Sequence, residues 1–260
     1  MGNTPGIPRK ESLYYDNGEK EFYRTDWMSR ISGDTSIAAL SIPGTHQTMA
    51  RHGGIAYQCQ SRSLRAQLNA GIRWLDIGCR HYENDLPLHH GMVYQYANLD
   101  DVFWTCISFL KDNSSETIIL RIKEEHKPRQ NSRSMDESVQ LYIDKHDRAK
   151  DFWNEVDTMP TLKEARGKIV VLCSYGEATF GIKYDLLNVA DKYDVKFYKV
   201  REKVDNVIAH LDEAKRGNIS TMYVTYCSGS GGIIPYDCAE KVNEKVYNHI
   251  SSAKKIDGES

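Results

Sequence analysis

Short apolar runs that end in polar or ionisable residues alternate along this chain with longer segments of helical period. Residues 37–42 run into Pro43, Gly44, Thr45 and His46, and residues 72–77 into Gly78, Cys79 and Arg80. Residues 86–88 run into His89, His90 and Gly91, residues 117–122 into Lys123, Glu124 and Glu125, residues 168–172 into Cys173 and Ser174, and residues 221–225 into Tyr226 and Cys227. Each run has strand length and strand composition. Between them, residues 63–69 stop at Ala70-Gly71, and residues 99–111, 200–214 and 238–250 repeat apolar side chains at helical spacing (Val204, Val207, Ile208, Leu211; Val242, Val246, Ile250). Strand alternating with helix predicts an α/β fold built on a parallel sheet. In a parallel barrel the C-terminal strand ends share one mouth, and the polar ends of these runs would meet there. Residues 126–138, charged and carrying Pro, Asn and Ser, read as a surface loop. Trp74 and Trp104 fall in apolar periodic segments and read as core. Residues 1–25 read as a polar N-terminal arm, and residues 26–260 as one domain.

Composition narrows the class. The chain has 260 residues, 34 Lys+Arg against 36 Asp+Glu, and a net charge of −2. No basic excess exists to displace counterions, so a nucleic-acid partner is not expected. Six cysteines form no CxxC pair, which argues against a zinc site and reads as buried free thiols. No apolar run approaches membrane-spanning length, and the first dozen residues show neither a secretory h-region nor a myristoylation motif. Unpaired cysteines and the missing signal lean toward a cytoplasmic or peripheral-membrane location.

The candidate chemistry gathers at the strand ends. His46 follows a Pro-Gly turn that fixes its backbone path. His90 ends another run, and Lys123 a third. Asp76 lies inside a strand, where a carboxylate is costly unless paired or functional. Two imidazoles on opposite sides of a phosphodiester act as base and acid near neutral pH.

The runs SIPGTH, GIRWLDI, LPLHHGMVYQY, FLKDNSSETIILRIKEE and EARGKIVVL, in this order, resemble the X domain of phosphatidylinositol-specific phospholipase C, above all the small single-domain bacterial type and its eukaryotic relatives. The resemblance extends from about residue 27 to 250. It implies a distorted TIM barrel, with its last strand absent or replaced. It also implies a phosphodiesterase that cleaves phosphatidylinositol, or a glycosylated relative, to diacylglycerol and a cyclic inositol phosphate. His46 would be the general base toward the inositol 2-hydroxyl and His90 the acid toward the leaving oxygen. Asp76 matches the family carboxylate beside these histidines, Lys123 a basic residue at the inositol or phosphate site, and Asp191 and Tyr193 the inositol-holding Asp and the stacking Tyr.

Four departures accompany the match. Gln47, which we take as substrate-binding, stands where relatives carry Asp or Asn. Gly78 stands where the metal-independent type carries an Arg and the calcium type an acidic ligand. Ser174 replaces an inositol-contacting Arg. The sequence ends before the family's last strand, which carries the Asp that orients the base histidine. Calcium is not expected, because the ligand positions read Gln47, Asp76, Gly78 and Lys123. The family's metal-free solution needs a fixed cation at the phosphate. Arg80, on the same strand face as Asp76 with Gly78 leaving empty space between them, is the candidate for it. The reading is thus an enzyme without cofactor or metal, acting as a monomer in transient contact with phosphatidylinositol-type lipid. The alternative is an impaired barrel that binds inositol headgroups without cleaving them. A metal-using glycerophosphodiesterase or sphingomyelinase-type barrel would want more carboxylate ligands than this set offers.

Overall fold

The computed structural model describes residues 23–256. The strands are β1 (Gly44–Thr45), β2 (Trp74–Cys79), β3 (Pro87–His90), β4 (Val93–Asn98), β5 (Ile118–Glu124), β6 (Ile169–Ser174), β7 (Ile182–Lys183), β8 (Asn188–Ala190) and β9 (Tyr223–Thr225). The helices are α1 (Leu64–Asn69), α2 (Leu99–Asp112), α3 (Met135–Asp144), α4 (Leu162–Ala165), α5 (Val200–Arg216) and α6 (Pro235–Ile256). A seven-stranded sheet runs β4-β3-β2-β5-β6-β7, with β1 added to β2; β8 and β9 form a second, parallel sheet. The ladders β1–β2, β2–β5, β5–β6 and β6–β7 are parallel. This is the α/β architecture of a distorted TIM barrel, left open: among the described residues no ladder joins β7 to β8 or β9 to β1.

Alternation along the strands sorts the interior. Leu75, Ile77 and Cys79 of β2, Ile118, Leu120 and Ile122 of β5, and Ile169, Val171 and Cys173 of β6 face outward into one core with Leu99, Phe103 and Phe109 of α2. The other face of the same strands turns inward. There Ile119, Val170 and Leu172 share a second core with Met222, Val224 and Tyr226. Above that apolar floor the inward positions become Asp76 and Gly78, Arg121 and Lys123, and Ser174.

Several expectations shift. Residues 37–42 are not a strand: Ser36 accepts from the Ala38 N–H and caps a short 3-10 turn at Ile37–Ala39, and pairing begins only at Gly44. The expected surface loop ends early, because Ser134 and Glu137 build a capping box that starts α3. Trp104 is not core; it is 47% exposed on α2, with the Arg148 guanidinium 4.2 Å from its ring. Trp74 is half-buried and lies under Gly44, where any Cβ would meet it at 2.7 Å. All six thiols are free, four of them buried. Most of the arm over residues 1–25 lies outside the described residues. Its last residues are tied to the barrel: the buried Arg73, ion-paired with Glu116 at 2.9 Å, donates to the carbonyls of Arg24 and Thr25. No described helix is long and apolar enough to cross a membrane.

Candidate active site

One edge of β2 brings the two histidines together. Its first half pairs with β1, parallel, as Gly44 opposite Trp74 and Thr45 opposite Leu75. Its second half pairs with β3, antiparallel, as Leu88 opposite Cys79. The two strands therefore approach each other end to end along the same edge. His46 leaves β1 at the level of Asp76, and His90 closes β3 from the opposite direction. The ring centroids lie 6.4 Å apart with planes at 85°. His89 turns elsewhere, against Tyr94 and His126. A register shift between Pro87 and His89 accompanies this change of aim.

Each ring is tied back through Nδ1. His46 Nδ1 lies 2.8 Å from Asp76 Oδ2, and His90 Nδ1 lies 2.7 Å from the Tyr57 carbonyl oxygen. With Nδ1–H donating in both rings, each Nε2 is left to face a ligand. Asp76 is 2% exposed; its Oδ2 also accepts from the Gln47 N–H, and its Oδ1 from Arg121. Burial alone would raise its pKa, but the His46 hydrogen bond and charge, then Arg121, hold it below the usual carboxylate range. His90 is shifted below the usual imidazole range, first by burial and then by the His46 charge, with the Tyr57 carbonyl opposing. Cys59 Sγ lies 4.0 Å from His90 Nδ1, and burial pushes this thiol up to about 12, so it stays protonated.

A second cluster lies beside the first. Lys123 Nζ pairs with Glu125 Oε2 at 2.9 Å. Glu125 Oε1 accepts from the Gly91 N–H at 2.9 Å, next to His90, and Gln47 Nε2 donates to its Oε2 at 3.3 Å. Burial opposes ionisation of Glu125, but Lys123 and the Gly91 N–H carry its pKa below the usual range. Gly78 does not leave empty space, as its sequence context suggested. A Cβ there would stand 2.6 Å from the His89 carbonyl oxygen, 3.1 Å from Gln47 Oε1 and 3.3 Å from Glu125 Cβ. Arg80 consequently does not fold back over Gly78. It lies just beyond β2, its Nε donating to the Lys127 carbonyl and its guanidinium 5.0 Å from the Tyr82 ring.

Asp191 and Tyr193 follow β8 and line a cleft of about 280 Å³ with Lys199, Glu202 and Lys203. Tyr193 is 63% exposed. The Asp191 charge reaches Tyr184, whose hydroxyl meets that of Tyr226 at 2.9 Å, and the Tyr226 ring lies 5.8 Å from His46. None of His46, His90, Tyr184 and Tyr226 lines this cleft.

Arg121, Tyr226, Tyr184 and Glu125 escaped the sequence reading. The period of β5 holds the missing signal: 121 and 123 share the inward face, with Glu125 continuing that line past the strand end. Tyr226 and Tyr184 had no local signal, because one follows β9 of the second sheet and the other follows β7, and only packing brings both to Arg121. The calcium-ligand positions lie close together but offer few free oxygens. Both Asp76 oxygens are engaged, Gln47 points its amide at Glu125, and Lys123 is a cation. Among the described residues no group of three or more His, Cys, Asp or Glu side chains comes together as a metal site.

Fold and site together define a TIM-type α/β barrel with two facing histidines on one edge of its second strand. Residues 36–174 match the family model of the phosphatidylinositol-specific phospholipase C X domain. The chain is 33% identical over 247 residues to the 1-phosphatidylinositol phosphodiesterase of Listeria monocytogenes, covering 86% of this chain and 74% of that protein. It is 23% identical over 260 residues to the enzyme of the same name from Staphylococcus aureus strain Newman, covering 87% and 83%. The solved phosphatidylinositol-specific phospholipase C of L. monocytogenes superposes with a TM-score of 0.75 at 27% identity, over 90% of this chain and 89% of that one. A solved S. aureus phosphatidylinositol-specific phospholipase C, at 24% identity over 88% and 86%, shares the fold with a TM-score of 0.78. The chain belongs to the phosphatidylinositol-specific phospholipase C X-domain family.

Proposed function

We propose that this protein is a phosphodiesterase that cleaves phosphatidylinositol, or a glycosylated relative, into diacylglycerol and an inositol cyclic phosphate. The observation that carries the reading is the His46–His90 pair: two rings 6.4 Å apart, each anchored through Nδ1. His46 Nε2 takes the proton of the inositol 2-hydroxyl, and that oxygen attacks the neighbouring phosphorus. His90 Nε2–H protonates the departing glycerol oxygen. Attack within one molecule needs little beyond placement and proton transfer. Water opens the cyclic ester with the two roles exchanged. Lys123 supplies positive charge at the phosphate, held by Glu125. Gln47 closes the site beside Glu125, and Asp191 and Tyr193 hold the inositol ring. The reaction runs without metal, in transient contact with the lipid surface, by a monomer whose net charge of −2 gives no strong attraction to anionic membrane.

The test is incubation with phosphatidylinositol vesicles in chelator, following inositol 1,2-cyclic phosphate by phosphorus NMR. Cyclic product supports the reading. Vesicle binding without any product rejects it in favour of a headgroup-binding barrel.

A further inference from the structure

A buried guanidinium stands directly behind the carboxylate that holds His46. Arg121 Nη1 donates to Asp76 Oδ1 at 3.1 Å and to the Tyr226 hydroxyl at 2.7 Å, while Nη2 donates to Ser174 Oγ at 3.0 Å. The Tyr184 ring packs against it, 4.0 Å from Cζ to the centroid. The side chain is 12% exposed, and its Nε is buried with no hydrogen-bond partner among the described residues.

Such a group is a poor device for stability. Desolvating a guanidinium and leaving one of its donors unpaired costs more than an apolar side chain in the same place. Ile119, two residues earlier on the same face, shows what the barrel floor otherwise contains. Strand order supplies the reason for a cation at this position. The next inward positions of the two flanking strands, Gly78 on β2 and Ser174 on β6, carry no charge. β5 lies between those two strands. Its Arg121 reaches the hydroxyl of Ser174 on one side and the carboxylate of Asp76 on the other.

We propose that Arg121 is the positioning residue of the base: it fixes Asp76 against His46 Nδ1 and so keeps the His46 Nε2 lone pair turned toward substrate. The inference rests on the two-histidine reading above. Asp76 Oδ2 already accepts from His46 and from the Gln47 N–H, and Arg121 is the group that holds Oδ1. Without it the buried carboxylate loses its cation, rotates or takes up a proton, and ceases to select the Nδ1–H tautomer. A ring carrying its proton on Nε2 cannot accept one there.

The experiment compares Arg121→Gln and the exchanged pair Arg121→Ser/Ser174→Arg with the unaltered protein. Ring-nitrogen NMR at about pH 8, where histidine is neutral, reports the His46 tautomer, and vesicle assays report kcat and KM. For Arg121→Gln the Nε2–H tautomer appears, kcat falls by about 10²-fold and KM changes little, as for partial loss of a general base. The exchanged pair, which roots a guanidinium on the neighbouring strand beside the same carboxylate, regains the Nδ1–H tautomer and at least about a tenth of the original kcat. A folded Arg121→Gln protein with unchanged tautomer and kcat overturns the proposal. If that variant does not fold, Arg121→Ser with Ser174 unchanged decides: the Nε2–H tautomer with lowered kcat supports the proposal, and the original tautomer with unchanged kcat overturns it. Failure of the unaltered protein to turn over phosphatidylinositol would sink the proposed function, while the tautomer measurement still decides the role of Arg121.

Discussion

The carbonyl oxygen of His89 lies 2.6 Å from the point where a Cβ on Gly78 would stand. The neighbouring strand passes so close that this position on β2 admits no side chain. The same strand carries His90 into the site on its next residue. Gly78 is thus part of how His90 is delivered into the site, not a gap where a cation is missing.

Gly78→Ala forces β3 to move, at a cost of about 1–3 kcal/mol. Denaturant melts report the stability loss. Because the shift falls on the residue before His90, turnover drops by about tenfold or more. Gly78→Arg, which writes back the residue type of the metal-independent relatives, lowers activity further. A gain of activity on that substitution would contradict the packing described.

His46→Ala and His90→Ala each reduce kcat by about 10²–10⁴-fold, the range for a positioned acid or base. Both rings are partly exposed, so thermal melts stay near those of the parent. Asp76→Asn keeps the shape and removes the charge. It gives a comparable kcat loss by permitting the wrong His46 tautomer. Steady-state kinetics on vesicles check all three, and retention of more than about a tenth of the parent kcat in either alanine variant would exclude the paired mechanism.

Burial sets the pH window of the acid. His90 must be protonated to act, and its pKa is displaced below the ordinary 6.5. The alkaline limb of kcat/KM therefore has its midpoint below about 6.5, not in the neutral range. A pH–rate profile whose alkaline limb lies above 7 would contradict a lowered His90 pKa as the source of that limb.

Stability follows pH with the same sign from several groups. His81, His89, His90 and His210 all have imidazole pKa values lowered chiefly by burial. The unfolded chain binds protons at these sites more readily, so stability rises with pH from below 6.5 and is lost as pH falls through that window. Asp76 and Glu125 have lowered carboxylate pKa values, so their contribution is present above about 4 and is lost as pH falls further. Urea titrations at pH values from about 4 to 8 show a monotonic rise. Asp76→Asn flattens the most acidic part of the curve.

Gly53 has φ of +103°, and a Cβ there would meet Tyr57 Cβ at 2.7 Å. The Tyr57 carbonyl is the group that anchors His90. Gly53→Ala therefore disturbs the acid through its backbone anchor: kcat falls by about tenfold while the melting temperature moves by only a few degrees. Equal kcat in the two proteins would separate this loop from catalysis.

The pattern of the chain by itself determined the class of fold, the three long helices α2, α5 and α6, and both histidines with Asp76 and Lys123 as candidates. These rest on local rules: apolar period, a Pro-Gly turn, a carboxylate placed in a strand. What lay beyond it was the meeting of separate segments. That β1 and β3 share one edge of β2, which sets His46 against His90, is a fact of pairing that no local spacing encodes. Gly78 looked vacant because its neighbours Gln47, His89 and Glu125 come from three other parts of the chain. Arg80 looked placed for the site because alternation was carried one residue past the end of β2, where the ladder no longer enforces it. Arg121 looked like an ordinary strand residue until β6, the turn after β7 and the second sheet supplied Ser174, Tyr184 and Tyr226 around it. Local sequence fixes which way a side chain leaves its strand, and only the packed barrel fixes what it meets there.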